Sequence, residues 1–228
     1  ISSDHHLSIA AALSKLSMYL QDFEWHVYPT PKVFGKSASW ICRFSSYCHW
    51  KDVFHMKELL LHAAIEQHLE QIRSAPTDLE LHASLASTYV ALSQIYLEPK
   101  RTPPHPRLST FQKKESFFQE KFRKAAELAI EEFQILSYFA PKDPWVHEQL
   151  ASGYRDLQLK TDEIREVEFL LELRPQDLSI LFRLATLYFE EGRSAKGLQI
   201  YEKLKKARYS EADLLMTLYG KAFRESIQ

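Results

Sequence analysis

Residues 140–156 read APKDPWVHEQLASGYRD, and residues 174–190 read RPQDLSILFRLATLYFE. The two stretches align at an offset of 34 residues, with a proline and an aspartate followed by Leu-Ala and then a tyrosine. Residues 75–89 carry the same pattern 65 residues before the first stretch, which is one period of 34 plus 31 inserted residues. Because repetition at a fixed period is typical of helical repeat proteins, we predict an all-α fold of similar helix pairs.

Each repeat carries the residues that start a helix and pack it. Asp143 before Pro144 predicts an N-cap followed by a proline in the first helical position, and Asp177 predicts the next N-cap. Thr77 and Glu80 have the spacing of a capping box. The Leu and Tyr of each pattern are four residues apart and share one helix face, while the Ala between them lets a neighbouring helix approach closely. The second helices carry a small residue followed by a ring: Ala64 and His68, Ala129 and Phe133, Gly197 and Tyr201.

These elements together resemble the tetratricopeptide repeat family. The resemblance implies a right-handed superhelical solenoid of antiparallel helix pairs. It covers an array at 77–228, with repeats at 79–143 (including the insertion of about 31 residues), 144–177 and 178–211, and a C-terminal capping helix at 212–228. Two features depart from the family pattern: Glu163 and Val167 replace the small residue and the ring, and Tyr209 replaces the closing proline.

Residues 1–76 form a divergent N-terminal region that matches the repeat pattern only near its end. We predict one helix near 7–21 and a second near 52–73, with an aromatic-rich insertion at 23–54 between them. The rings of this insertion either pack over the open end of the array or form a binding surface for a partner. A second insertion at 97–118 holds four prolines and many basic residues, and is predicted to be an extended loop. That loop is either a solvated connection or a docking arm for an acidic partner.

Composition excludes several classes of protein. Lysine and arginine total 29 against 30 acidic residues, a balance that argues against nucleic acid as the main partner. No apolar run reaches the roughly 18 residues of a membrane span, so we expect no membrane insertion. The two cysteines are too few for a disulfide framework, and residues 1–7 lack the features of a signal peptide. We therefore predict a cytoplasmic protein.

Three catalytic or metal-binding motifs are incomplete. Gly35-Lys36-Ser37 resembles the end of a phosphate-binding loop, but Thr30 stands where the first glycine belongs. His147-Glu148 begins a zinc-protease pattern, but Ala151 occupies the position of the second histidine. Two cysteines and two histidines lie close together, but the cysteines are too widely spaced for a usual zinc site: Cys42, Cys48, His49 and His55. We predict neither enzymatic activity nor a cofactor or metal.

The family resemblance implies that the first helix of each repeat lines a concave face. The C-terminal part of this concave face would present rings and basic residues to a partner protein or peptide: Trp145, Arg155, Phe182, Arg183, Phe189, Met216, Phe223 and Arg224. The chain has no asparagine, which the branch of the family that binds C-terminal carboxylates requires. An apolar stripe with basic edges suits an amphipathic or extended peptide. The alternative is that the rings pack between neighbouring helices.

We therefore expect a non-catalytic scaffold or adaptor that binds a peptide segment of a partner in its groove. Two alternatives stay open. One is a secretion-type chaperone that covers an apolar segment of a client protein. The other is the regulatory repeat domain of a larger enzyme, with which a chain that starts at Ile1 is compatible.

Overall fold

A computed structural model describes residues 3–20, 38–101 and 115–225. This part of the chain is helical, without strands, which confirms the all-α class. The helices are α1 (Ser3–Tyr19), α2 (Ala38–Ser74), α3 (Leu79–Arg101), α4 (Glu115–Phe139), α5 (Pro144–Asp156), α6 (Lys160–Leu173), α7 (Leu178–Glu190), α8 (Ser194–Lys206) and α9 (Leu214–Glu225). Over these ranges, no helix has both the length and the apolar character needed to cross a membrane.

The chain divides into two compact units, Ile1–Glu132 and Phe133–Gln228, with the division inside α4. In the first unit, α1 packs on α2 and α2 packs on α3. In the second unit, α5 pairs with α6 and α7 pairs with α8, while α7 also contacts α6 and α9. Neighbours in sequence are thus neighbours in space, as short connections between antiparallel helices favour.

Aspartates cap three of the first helices. The side chain of Asp143 accepts a hydrogen bond from the Trp145 amide, and that of Asp177 accepts from the amides of Ser179 and Ile180, which confirms both predicted N-caps. The predicted capping box at Thr77 is wrong by one residue. Because α3 begins at Leu79, the cap is Asp78, whose carboxylate accepts from the Glu80 amide at 2.9 Å.

The repeated residues form the core, as their pattern predicts. The Leu-Ala pairs of the three first helices are fully or almost fully buried: Leu85 and Ala86, Leu150 and Ala151, Leu184 and Ala185. The small residues of the second helices are buried as well: Ala64, Ala129 and Gly197. His68 and Phe133, which follow at the ring position, are also buried.

The predicted bounds of both insertions are wrong, because helices extend far into them. Helix α2 begins at Ala38 rather than near 52, and α3 continues to Arg101 before α4 starts at Glu115. These three helices have 37, 23 and 25 residues, whereas α5 to α8 have 13 or 14. Residues 102–114 of the predicted loop and residues 23–37 of the aromatic insertion lie outside the described residues.

An aromatic core explains why the helices continue. Phe54 of α2 lies edge-on to Phe118 of α4, with centroids 5.6 Å apart, and also contacts Tyr96 of α3. Trp50 stacks on Phe54 at 5.3 Å, and all four rings are buried. We call the added parts of α2, α3 and α4 the three-helix extension.

A buried carboxylate joins the same three helices. Glu58 of α2 accepts a hydrogen bond from the Tyr96 hydroxyl at 2.8 Å and from the Lys121 ammonium of α4 at 2.6 Å. Burial raises the pKa of Glu58, but hydrogen bonds from Lys121, Tyr96 and His55 and the charge of Lys121 outweigh it, so the pKa lies below its usual value. Glu58 therefore links α2, α3 and α4, and its carboxylate is ionised.

Candidate functional site

One face of α5 exposes the first predicted site residues. Positions 145, 148, 152 and 155 recur at steps of three and four residues, so they share a helix face. Trp145 is 40% exposed and lies edge-on to the buried Phe133, with centroids 5.6 Å apart. At the other end of the face, the exposed Arg155 guanidinium donates a hydrogen bond to Ser152 Oγ at 3.1 Å. Both residues present their polar or aromatic ends to solvent.

The corresponding face of α7 carries Ser179, Phe182 and Thr186. Phe182 is half-buried and contacts the Tyr209 ring, with centroids 5.7 Å apart. Helix α7 reaches α5 through Arg183, whose Nη2 donates to the Ala151 carbonyl oxygen at 3.1 Å. We call these positions the α5–α7 face: Trp145, Glu148, Ser152, Arg155, Ser179, Phe182 and Thr186.

Phe189 lies in the core and does not extend this face. It is 1% exposed and packs against Tyr219 of α9, with centroids 5.3 Å apart. A Cβ atom at Gly197 of α8 would come within 2.6 Å of its ring, so the missing side chain at Gly197 makes the space that the ring fills. The predicted apolar stripe is therefore interrupted after Phe182 and Thr186.

Arg183 forms an ion pair with Glu163, the residue that replaces the small residue of the repeat pattern. The guanidinium donates to Glu163 Oε1 through Nη2 at 2.8 Å and through Nε at 3.2 Å. The Glu163 side chain is 4% exposed and that of Arg183 is 29% exposed. A carboxylate thus replaces the small residue of the pattern because a cation from the next repeat compensates it. Three of the five guanidinium N–H groups of Arg183 are thus used within the structure, through Nε and Nη2.

Exposed ion pairs lie at the edges of the α5–α7 face. Glu148 accepts from Arg174 at 2.6 Å, and Glu190 at the end of α7 lies 3.2 Å from Lys160. Since Glu148 is paired, the Arg155 guanidinium keeps its positive charge on the same face without a carboxylate partner in the described structure. The face is therefore locally positive at Arg155 and apolar at Trp145 and Phe182.

The remaining predicted site residues lie on α9. Met216 is half-buried and packs against the core of the second unit. Phe223 and Arg224 belong to α9, but they fall outside the residues whose side chains are described. Trp145 and Arg155 thus share one face of α5, and Phe182 lies on the corresponding face of α7.

The rejected motifs contribute no metal site in the part of the chain that is described. Cys42, Cys48, His49 and His55 all lie on α2, where Cys48 and His55 are exposed. Among the described residues, no three histidine, cysteine, aspartate or glutamate side chains come close enough to hold a metal ion. The segment with Thr30 and Gly35-Lys36-Ser37 lies outside the described residues.

The aromatic insertion, for which packing and a binding surface were the two alternatives, places a second exposed aromatic surface at the start of α2. Trp40 and Phe44 are 68% and 56% exposed and stack on each other, with centroids 5.7 Å apart and planes inclined by 13°. Their spacing of four residues was the available signal, once the segment is known to be helical. Within one insertion, therefore, Trp50 and Phe54 are core residues whereas Trp40 and Phe44 face solvent.

A scan against protein-family models finds no match for this chain, and a search of curated proteins finds none either. The tetratricopeptide resemblance accordingly rests on the residues and contacts of the chain itself.

Proposed function

We propose that this protein is a non-catalytic scaffold that binds a peptide segment of a partner protein on the α5–α7 face. The observation that carries the proposal is the exposed Trp145 on the same helix face as Arg155, whose guanidinium has no carboxylate partner among the described residues. Tryptophan and arginine are the residues most enriched among those that dominate the energy of protein interfaces. An exposed indole at a rigid helix also loses little side-chain entropy when it is covered.

We further propose that α5/α6 and α7/α8 are tetratricopeptide-like pairs within a right-handed solenoid. Equivalent contacts at a 34-residue offset support this. Gln134 donates to the Tyr154 hydroxyl at 3.1 Å, and the Tyr188 hydroxyl donates to Glu168 at the same two positions of the following repeat. Burial, and then the Glu168 hydrogen bond, raise the pKa of Tyr188 to about 12, so this hydroxyl stays a donor at physiological pH.

The chemistry of the face indicates the kind of peptide. Trp145 and the exposed part of Phe182 offer apolar contacts, while Arg155 offers a charge-assisted hydrogen bond to a carboxylate. Ser152, Ser179 and Thr186 are small and polar, so they allow an extended backbone to approach closely. We expect a segment with apolar residues followed by one acidic residue, and no requirement for a free C-terminal carboxylate.

The test is selection of peptides from a displayed random library on the purified protein, followed by calorimetric titration. We expect Trp145→Ala to weaken the selected peptides by at least tenfold, which corresponds to about 1.4 kcal/mol, and Arg155→Ala to weaken them similarly. Tyr138→Ala is the matched control, because Tyr138 belongs to the same unit and is 81% exposed but lies outside the face. Equal binding by wild type and the Trp145/Arg155 double variant would refute the assignment.

The stacked pair Trp40 and Phe44 is a second candidate binding surface, because both rings are exposed. It is tested with the same selected peptides. Loss of binding in Trp40→Ala/Phe44→Ala, with binding retained in the Trp145/Arg155 double variant, would move the function to the start of α2.

A further inference from the structure

Two buried histidines make the same pair of contacts in successive repeats. His82 of α3 places Nδ1 2.6 Å from Glu132 of α4 and Nε2 3.0 Å from the carbonyl oxygen of Pro76. His147 of α5 places Nδ1 2.7 Å from Glu166 of α6 and Nε2 3.0 Å from the carbonyl oxygen of Pro141. The two sets of residues occupy equivalent repeat positions, since His, Pro and Glu keep their spacing apart from the 31-residue insertion.

Each arrangement requires a doubly protonated imidazole. A carboxylate and a peptide carbonyl only accept hydrogen bonds, so both ring nitrogens must carry a proton for both contacts to form. A neutral ring would set one nitrogen lone pair against an acceptor oxygen at about 3 Å in a buried site. Geometry alone therefore makes each cluster depend on protonation.

We propose that these clusters are protonation-dependent latches that fix the turn before each repeat to both of its helices. We define the first latch as His82 with Glu132 and Pro76, and the second as His147 with Glu166 and Pro141. Each joins the turn carbonyl, the first helix and the second helix through one imidazolium. When the ring loses a proton, one of the two hydrogen bonds is lost and the turn is released.

The groups around each ring agree with this. Glu132 of α4 and Asp78 at the start of α3 are the charged groups that act on His82, and no charged group of α2 adds to them among the described residues. Burial opposes protonation of His82, but the hydrogen bonds to Glu132 and Pro76 and the two negative charges outweigh it and raise its pKa. Glu166 and the Phe169 ring, with centroids 4.4 Å apart, face His147 from α6.

The sign of the pH dependence follows from the raised pKa of His82. The latch contributes its full stability below pH about 6.5, the ordinary value for histidine, and loses it as the pH rises through the higher pKa of the folded state. The turn before α3 is therefore held in mild acid and released in mild base.

The third repeat is an internal control. Leu181 and Ile200 stand at the positions of His147 and Glu166, and both are buried in the core of the second unit. Its turn keeps the same backbone bond: the Asp177 amide donates to Arg174 at 3.1 Å, as Asp143 donates to Ala140 at 3.1 Å and Asp78 to Ala75 at 3.2 Å. The three turns thus differ in the latch while they share the backbone contact.

Amide hydrogen exchange of the wild-type protein between pH 6 and 8.5 tests the proposal. After correction for intrinsic exchange, we expect the protection of the Asp78 amide to fall by up to about tenfold per unit of pH between pH about 6.5 and the raised pKa of His82, and to level off above it, while that of Asp177 stays constant. Equal pH dependence at Asp78 and Asp177 would overturn the proposal.

A second measurement does not depend on variants that fold. Nitrogen NMR of labelled histidine reads the protonation of each ring directly, and we expect His82 to carry two protons at pH 6.5. A neutral His82 ring at that pH would overturn the proposal. The double variant His147→Leu/Glu166→Ile copies the third repeat, and should leave the pH dependence at Asp78 unchanged.

Discussion

Replacing Arg183 by methionine leaves the Glu163 carboxylate buried without its cation. The Glu163 side chain is 4% exposed, and both of its contacts to Arg183 come from the guanidinium. Breaking a buried ion pair by removal of one partner costs about 3–5 kcal/mol. Because Arg183 is 29% exposed, some water already reaches the pair, so we expect a loss near the lower end, about 3 kcal/mol.

The pair itself is expected to be replaceable. Ala64, Ala129 and Gly197 stand where Glu163 stands in the other second helices, so Glu163→Ala restores the residue size of the pattern. We expect the double variant Glu163→Ala/Arg183→Met to lie within about 1 kcal/mol of wild type, because neither charge is then left buried. We therefore expect the Arg183→Met single variant to be about 2 kcal/mol less stable than the double variant.

Urea denaturation followed by helical circular dichroism measures the free energy of unfolding of each variant. Titration of a peptide that binds the α5–α7 face shows in parallel whether binding survives in the double variant. A loss below about 0.5 kcal/mol in Arg183→Met, together with loss of peptide binding, would refute the reasoning and return Arg183 to the binding residues.

Glycine positions give two further predictions. Gly197→Ala should lower the free energy of unfolding by about 1–2 kcal/mol, since its Cβ would meet the buried Phe189 ring. Gly220→Ala should raise the free energy of unfolding by about 0.5–1 kcal/mol, because a Cβ there has no atom within 4 Å. Equal effects of the two variants in urea denaturation would contradict the packing. Gln158 has φ of 60° where the next repeat has Gly192 at φ of 74°, so both residues adopt the left-handed conformation that favours glycine. Gln158→Gly should therefore increase the midpoint of urea denaturation by the equivalent of up to about 1 kcal/mol. A decrease would show that the left-handed conformation of Gln158 carries no strain.

The repeat junctions could be predicted from sequence because their signals are local. Asp143 and Asp177 act on amides two or three residues away, and the Leu-Ala pairs need only a helical period to share a face. The predicted cap at Thr77 was wrong although it too is a local signal, because Asp78 follows Thr77 immediately and is the better cap. The helix class and the shared core positions thus follow from short windows of sequence.

The insertions and half of the candidate site could not be predicted in that way. Phe54 and Phe118 become a core only when helices from two distant segments pack together, and each segment alone resembles a loop. Phe189 occupies a groove position by count, yet it turns inward because Gly197, on another helix, leaves space for its ring. Arg183 likewise finds Glu163 on the preceding helix. Each outcome depends on a partner outside the local pattern.

The three-helix extension also has a consequence for the order in which the chain folds. The described polar contacts of the second unit join residues no more than 32 apart, as in His147–Glu166 across 19 residues and Arg183–Ala151 across 32. Glu58, in contrast, reaches Tyr96 across 38 residues and Lys121 across 63. Loop-closure entropy grows with the length of chain enclosed, and chains with more distant contacts fold more slowly. In refolding after a denaturant jump, the C-terminal helix pairs should therefore become protected first, with the ring cluster around Phe54 the last to form.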